Sequence, residues 1–273
     1  MSPESQMNQS KHSRTLETSN YNTKSFKSLN RNREDDDVEG SLLYLVRNCF
    51  KDMLAIEVNL EEAKRDLALR PDFTLAGAFN FFTGYSQSRL AADDLKIGFE
   101  RLGIVCSVDE VQMYIERYDS DRDKKLGFWE FSNSLLPVET LVRDDLERRR
   151  AQFELSYETK ELLRRTFRKL LDAESIVENL RQRIAREKAV SLRKAFDGMD
   201  WLGRGFLTNN EFKRVIEQIG QRVSSFHSSS VLKQDAIDLE CLIRRFNKDK
   251  LNGRVALPEF LEELTPKNPE KAY

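Results

Sequence analysis

Histidine is almost missing: there are two in 273 residues, His12 and His227, and neither stands beside a candidate nucleophile or a second base. A histidine-based triad and a histidine zinc site are thereby set aside. Cysteine is nearly as sparse. Cys49, Cys106 and Cys241 are odd in number, far apart and in no CxxC arrangement, so they are expected to be small core residues in a reducing compartment. No run approaches the roughly 18 apolar residues of a membrane span. No signal-peptide core follows Met1, and Ser2 stands where N-myristoylation needs glycine. The expected address is cytoplasmic, with no membrane partner. Net charge is lacking too: 45 Lys and Arg against 46 Asp and Glu leave −1, so nothing general draws the chain to nucleic acid. Neither GxxxxGKS/T nor GxGxxG occurs, and a non-enzymatic protein is the expectation.

Glycine (11) and proline (6) are also scarce, while a third of the residues are charged and the apolar ones recur at helical spacing. That combination predicts an all-α fold. Residues 1–37 hold too few apolar side chains to offset ordering entropy and read as a disordered polar tail. From 38 to 70 the positions Leu42, Leu45, Val46, Cys49, Phe50, Met53, Leu54, Leu60, Ala63 and Leu67 follow three-and-four spacing, predicting an amphipathic helix that stops before Arg70-Pro71. A segment starting at Asp72 and running through Phe82, then Ala92–Leu102, then Val108 to Leu136 with Pro137 as terminator, divide residues 71–139 into two helix–loop–helix units. Residues 140–189 read as a long helical linker whose apolar stripe Leu163, Phe167, Leu170, Val177, Leu180 and Ile184 keeps one face, with a restart near Ser156–Thr159, and 190–265 as two further helix–loop–helix units. Residues 266–273 form a C-terminal tail.

The most informative stretch is DSDRDKKLGFWE, residues 119–130. Asp119, Asp121 and Asp123 stand at loop positions 1, 3 and 5. Lys125 offers its backbone carbonyl at 7, Gly127 leaves room for a water at 9, and Glu130 stands at 12. Alternate residues point inward as the chain curls, and a glutamate one turn into the next helix closes the sphere with both oxygens. Hard oxygens in that number suit Ca2+ better than Mg2+. With Leu126 at position 8 and the flanking helix faces Ile115, Tyr118, Phe128, Phe131 and Leu135, the chain resembles the EF-hand, calmodulin-like superfamily. The resemblance implies two EF-hand pairs, 71–139 and 190–265, joined by the helical linker, with an extra N-terminal helix. One departure stands at position 6, where the family has glycine and this chain has Lys124. A left-handed non-glycine residue costs on the order of 1–2 kcal/mol, so weakened calcium binding is expected.

The other three loops are degenerate. Aligning Leu90 at position 8 puts Thr83, Tyr85 and Gln87 at positions 1, 3 and 5 and Asp94 at 12. No calcium is expected there, although Leu90 should pair with Leu126. The third loop keeps Asp200, Gly205, Leu207 and Glu211 but has Leu202 and Arg204 at 3 and 5. The fourth ends with Val255, Glu259 and Phe260 but begins at Lys248, or with one extra residue from Asn247; Val255 should pair with Leu207.

Between 143 and 194, basic residues outnumber acidic ones by 15 to 10, and Arg148–Arg150, Arg164, Arg165, Arg168, Lys169, Arg181, Arg183 and Arg186 lie largely off the apolar stripe. Two readings follow. In one, a calcium-responsive module changes its contact with a protein partner. In the other, EF-hand pairs are rigid blocks of a cytoskeletal or ciliary scaffold whose basic linker docks on an acidic filament such as a microtubule. A solvated face laced with i,i+4 ion pairs is the plainer account of the same charges.

Overall fold

The computed structural model describes residues 44–84, 88–187, 191–217, 229–247 and 253–268, with only the backbone given for 229–235. The expected tail 1–37, loop residues Tyr85 and Gln87, the 219–228 connection with His227, and Lys248 lie outside the described residues. The chain is mostly helical. Its elements are α1 (44–68), α2 (Leu75–Thr83), β1 (Arg89–Leu90), α3 (Ala92–Arg101), α4 (Val108–Tyr118), β2 (Leu126–Gly127), α5 (Phe128–Leu135) and α6 (Thr140–Arg148). These are followed by α7 (Tyr157–Arg186), α8 (Leu192–Met199), β3 (Phe206–Thr208), α9 (Asn209–Glu217), α10 (Ser229–Phe246), β4 (Arg254–Ala256) and α11 (Leu257–Leu264). Among the described residues, no helix is long and apolar enough to cross a membrane.

The strands form two short antiparallel pairs. Leu90 faces Leu126 in the first, and Leu207 faces Val255 in the second, the register that the loop numbering predicts. All four leucine or valine side chains are fully buried. A period-2 pleat places them on the core side while the strand residues beside them are partly or fully exposed.

Two aromatic-rich clusters make the core. The first draws on α2 to α6 and on the first half of α7, where Phe167 meets Phe82, Phe99, Phe131 and Tyr114. The second draws on α8 to α11 and on the N-terminal part of α1, where Phe50 meets Phe212, Phe246 and Phe260. The two long helices therefore each serve both clusters: α1 through Phe50 and Leu67, α7 through Phe167 and Val177. They run antiparallel. Thr166 donates to the Ala63 carbonyl, Lys169 to the Asn59 carbonyl, and Arg183 pairs with Asp52, so rising numbers on α7 meet falling numbers on α1.

One boundary differs from expectation. The second helix starts at Leu75 rather than Asp72, because Thr74 is its N-cap, its Oγ1 accepting from the Gly77 N–H. Asp72 instead reaches across the chain, accepting from the Ser156 N–H at 2.8 Å and the Thr159 hydroxyl at 2.6 Å. The 140–189 linker restarts at Ser156, as its sequence suggests, with Ser156 capping α7 by accepting from the Thr159 N–H, while α6 has already ended at Arg148. Residues 149–156 run beside the 70–77 backbone, with Arg149 donating to the Arg70 and Phe73 carbonyls and Thr74 Oγ1 donating to the Gln152 carbonyl. The approach is close enough that a Cβ on Gly77 would lie 2.2 Å from the Gln152 oxygen. Only glycine fits there.

Asp72 is thus the clasp between the end of α1 and the start of α7. Burial alone would raise its carboxyl, but the Thr159 hydroxyl and the Ser156 N–H override it and hold it at about 2, below the ordinary 3.8. A depressed carboxyl stabilises the fold above its unfolded value and loses that contribution as pH falls through the folded one. Asp72→Asn is expected to lower stability by about 1–2 kcal/mol in urea denaturation at neutral pH. The gap between variant and wild type should close as pH falls from about 4 toward 2.

A buried ionic cluster joins the two halves. Arg245 on α10 is 0% exposed and donates to Glu263 on α11, Glu57 on α1 and both oxygens of Glu174 on α7. Arg181 on α7 donates to the carbonyl and the carboxylate of Glu263. Arg117, in the last turn of α4, donates to the Arg245 carbonyl and lies 3.7 and 3.6 Å from Glu174 and Glu263. Arg181, grouped by sequence with the basic face, is 1% exposed. Burial would raise the Glu174 carboxyl, but Arg245, Arg117 and Arg181 overrule it and hold it below the usual carboxylate range.

Candidate metal centre

Helix α4 stops at Asp119, which leaves the helical region at φ −70°, ψ 99° while its N–H still bonds the Ile115 carbonyl. The carboxylate of Asp119 then accepts from the N–H groups of Asp123 and Lys124 at 3.2 and 2.8 Å, curling the chain around itself. Asp121 also accepts from the Asp123 N–H, and Asp123 from that of Lys125. The result brings one carboxylate oxygen from each of Asp119, Asp121 and Asp123 within 4.8 Å of one another. Lys124, at position 6, takes φ 63°, and Arg122 takes φ 60°, both in the left-handed region that side chains disfavour.

Glu130 stands at the third position of α5. Its Oε2 accepts from the Gly127 N–H at 2.8 Å, and its Oε1 accepts from the Ser120 N–H and hydroxyl at 2.9 and 3.0 Å. It closes the same loop from beneath, and lies outside the three-aspartate cluster. Lys125 is fixed by its N–H to Asp123.

The same cap recurs in every loop. The position-12 carboxylate accepts from the position-9 N–H at Asp94–Ala91, Glu130–Gly127, Glu211–Thr208 and Glu259–Ala256, at 2.9, 2.8, 2.8 and 2.7 Å. In the third loop Asp200 accepts from the Arg204 and Gly205 N–H groups, just as Asp119 does from Asp123 and Lys124. There, however, the Arg204 guanidinium sits on Glu211 at 2.6 Å. Burial raises the Glu211 carboxyl, but Thr208 and Arg204 outweigh it and the group lies below its ordinary range.

One participant was missed in the sequence. Arg89 on β1 places its guanidinium on the carboxylates of Asp121, at 3.0 Å, and Asp123. The signal was present: with Leu90 opposite Leu126, Arg89 must sit opposite Gly127, over the acidic loop. Arg122 reaches the other way and pairs with Glu262 on α11 at 3.3 Å.

No family model matches this chain, and no curated protein matches it.

Proposed function

We propose that the chain is a non-enzymatic EF-hand protein of two paired helix–loop–helix blocks, in which loop 119–130 binds Ca2+ and thereby modulates contact with a protein partner. The observation that carries this reading is the convergence of Asp119, Asp121 and Asp123 inside a loop closed by Glu130, in the one loop of the four that keeps all its carboxylates. Those carboxylates and the Lys125 carbonyl are the groups that would hold the ion, and the donor set of hard oxygens fits calcium. The four-fold recurrence of the position-12 cap supports common ancestry of the loops in one structural pattern. Calcium supplies charge neutralisation and rigidity to the loop and no chemistry.

The apolar floor between α2 and α5 is already filled by Phe167 of α7. Calcium would then act on an internal contact of α4 and α5 with α7 rather than on an open groove. The filament-scaffold reading draws on the three degenerate loops. It is weakened by the linker itself, because Arg149, Arg164, Arg168, Arg181 and Arg183 are all paired within the chain. Calorimetric titration with calcium, and sedimentation with microtubules in calcium and in chelator, separate the two. Equal pelleting in both conditions with no calcium heat would leave only the scaffold.

Arg89 competes with the ion for Asp121 and Asp123. Arg89→Ala is therefore expected to tighten calcium binding a few-fold, on the order of 1 kcal/mol or less for so exposed a pair. The gain should shrink as salt is raised, because exposed charges are screened. Calorimetry at two ionic strengths reads both effects, and an unchanged affinity would remove Arg89 from the site.

A further inference from the structure

A cavity of about 350 Å³ opens between α1, the end of α5, α6 and α10. Its wall carries four cations, Lys64, Arg117, Arg143 and Arg244. Arg117 belongs to the buried cluster described above, and so does the wall residue Glu57, which holds Arg245. Glu61 is turned toward the Val138 N–H at 2.5 Å, and Glu147 is exposed. The charge of Glu61 acts on Lys64 and Arg244 across the cavity, but three of the cations have no carboxylate in direct contact. Arg143 gives its guanidinium to the Pro137 and Val138 carbonyls, each at 2.9 Å, and Arg244 to the Pro137 carbonyl at 3.3 Å. Among the described residues neither has a carboxylate within ion-pair distance, and Lys64, only 8% exposed, has no hydrogen-bond or ion-pair partner.

Lys64 lines the cavity, and an ammonium withdrawn from most of its water with no acceptor in reach is costly. Burial accordingly pulls the Lys64 pKa down, against the pull of Glu61 and Glu57. Two guanidinium groups beside it add a planar fork suited to oxyanions. We propose that this cavity binds a phosphate group carried on a small organic molecule. Phosphate rather than carboxylate is favoured because three cations converge, and a phosphate monoester brings three oxygens and up to two charges where a carboxylate brings two and one. The space exceeds the phosphate itself, and Leu136, Val138 and Cys241 give the remainder an apolar wall.

The test is calorimetric titration of the full chain with inorganic phosphate and with phenyl phosphate, in chelator so that loop 119–130 and calcium phosphate play no part. Phenyl phosphate is expected to bind at one saturable site and more tightly than inorganic phosphate. Lys64→Met and Arg244→Gln should each weaken it by about 10- to 100-fold. Glu61→Gln should strengthen it a few-fold by removing a like charge while keeping an acceptor for Val138. That variant decides the matter if circular dichroism shows the other two unfolded. Equal affinity for inorganic phosphate would still place the anion here but overturn the organic ligand. No saturation up to about 10 mM, where even a millimolar site would be mostly filled, overturns the proposal. A Kd unmoved by all three substitutions does the same.

Discussion

Glu130→Gln is expected to abolish the calcium heat seen with the wild type, weakening affinity by about 100-fold or more, on the order of 3 kcal/mol. The substitution changes volume little but removes a charged oxygen from the position that closes the loop. It also has a calcium-independent effect. Oε1 of Glu130 accepts from both the N–H and the hydroxyl of Ser120 while Oε2 accepts from the Gly127 N–H. A glutamine can satisfy one end, but its NH2 then faces donors at the other, so about 1 kcal/mol of stability should be lost without any ion. Glu259→Gln is the control. It alters the equivalent cap at Ala256, in a loop whose described residues hold no aspartate cluster, and should leave the calcium isotherm untouched. Trp129, adjacent to the site and 66% exposed, gives a second readout by fluorescence. A wild type with no calcium heat at physiological concentration would sink the calcium reading, and a Glu130→Gln isotherm equal to wild type would move the site elsewhere.

Short-range features of this fold were legible in the sequence because short-range rules govern them. Loop numbering alone placed Leu90 against Leu126 and Leu207 against Val255. The apolar stripe Leu163, Phe167, Leu170, Val177, Leu180 and Ile184 is buried throughout, as its spacing demanded. Features decided by distant contacts were not legible. The restart at Ser156 was legible as an N-cap, but the end of α6 at Arg148 was not, since 149–156 holds neither proline nor glycine. The break arises because Arg149 and Gln152 are held by backbone and side chains some eighty residues earlier. Asp72 looked like a helix start for the same reason, its partners Ser156 and Thr159 being equally remote. In the candidate site, the loop's own residues were readable directly, whereas Arg89 was readable only by following the strand register to the neighbouring strand, and it was missed.

Charge was the least legible property of all. Composition treats every arginine alike, yet Arg168 pairs at the surface with Asp172 and Glu110 while Arg181, on the same helix, lies at the centre of the molecule. An apolar stripe can contain such a residue only if carboxylates from several elements meet it there. Arg181 meets Glu174 and Glu178 of its own helix and Glu263 of α11, and it shares Glu174 and Glu263 with Arg245, which also holds Glu57 of α1. Arg117 carries the cluster to the doorstep of the candidate loop, two residues before Asp119. The two halves are therefore keyed to each other by ions rather than by apolar contact alone.

Arg245→Met is expected to destabilise the protein by about 3–5 kcal/mol. Its volume is roughly kept, so the loss comes from leaving Glu57, Glu174 and Glu263 buried around a missing cation rather than from a cavity. Arg181 and Arg117 remain to neutralise part of that charge, which argues for the lower half of the range. The pH dependence separates this cause from a simple packing defect. In the wild type the Glu174 carboxyl lies below its ordinary 4.5, so its contribution is fully present above that value and is lost as pH falls through the lower folded one. In the variant, burial acts with less opposition and raises the folded pKa, so the penalty is greatest at neutral pH and is relieved on acidification. Urea denaturation at pH values of about 7 and 5 should therefore show the variant gaining stability while the wild type stays level. A loss of 1 kcal/mol or less with no pH slope would mean that the cluster behaves like a solvent-exposed ion pair. The halves would then have to be held together by α1 and α7 packing alone.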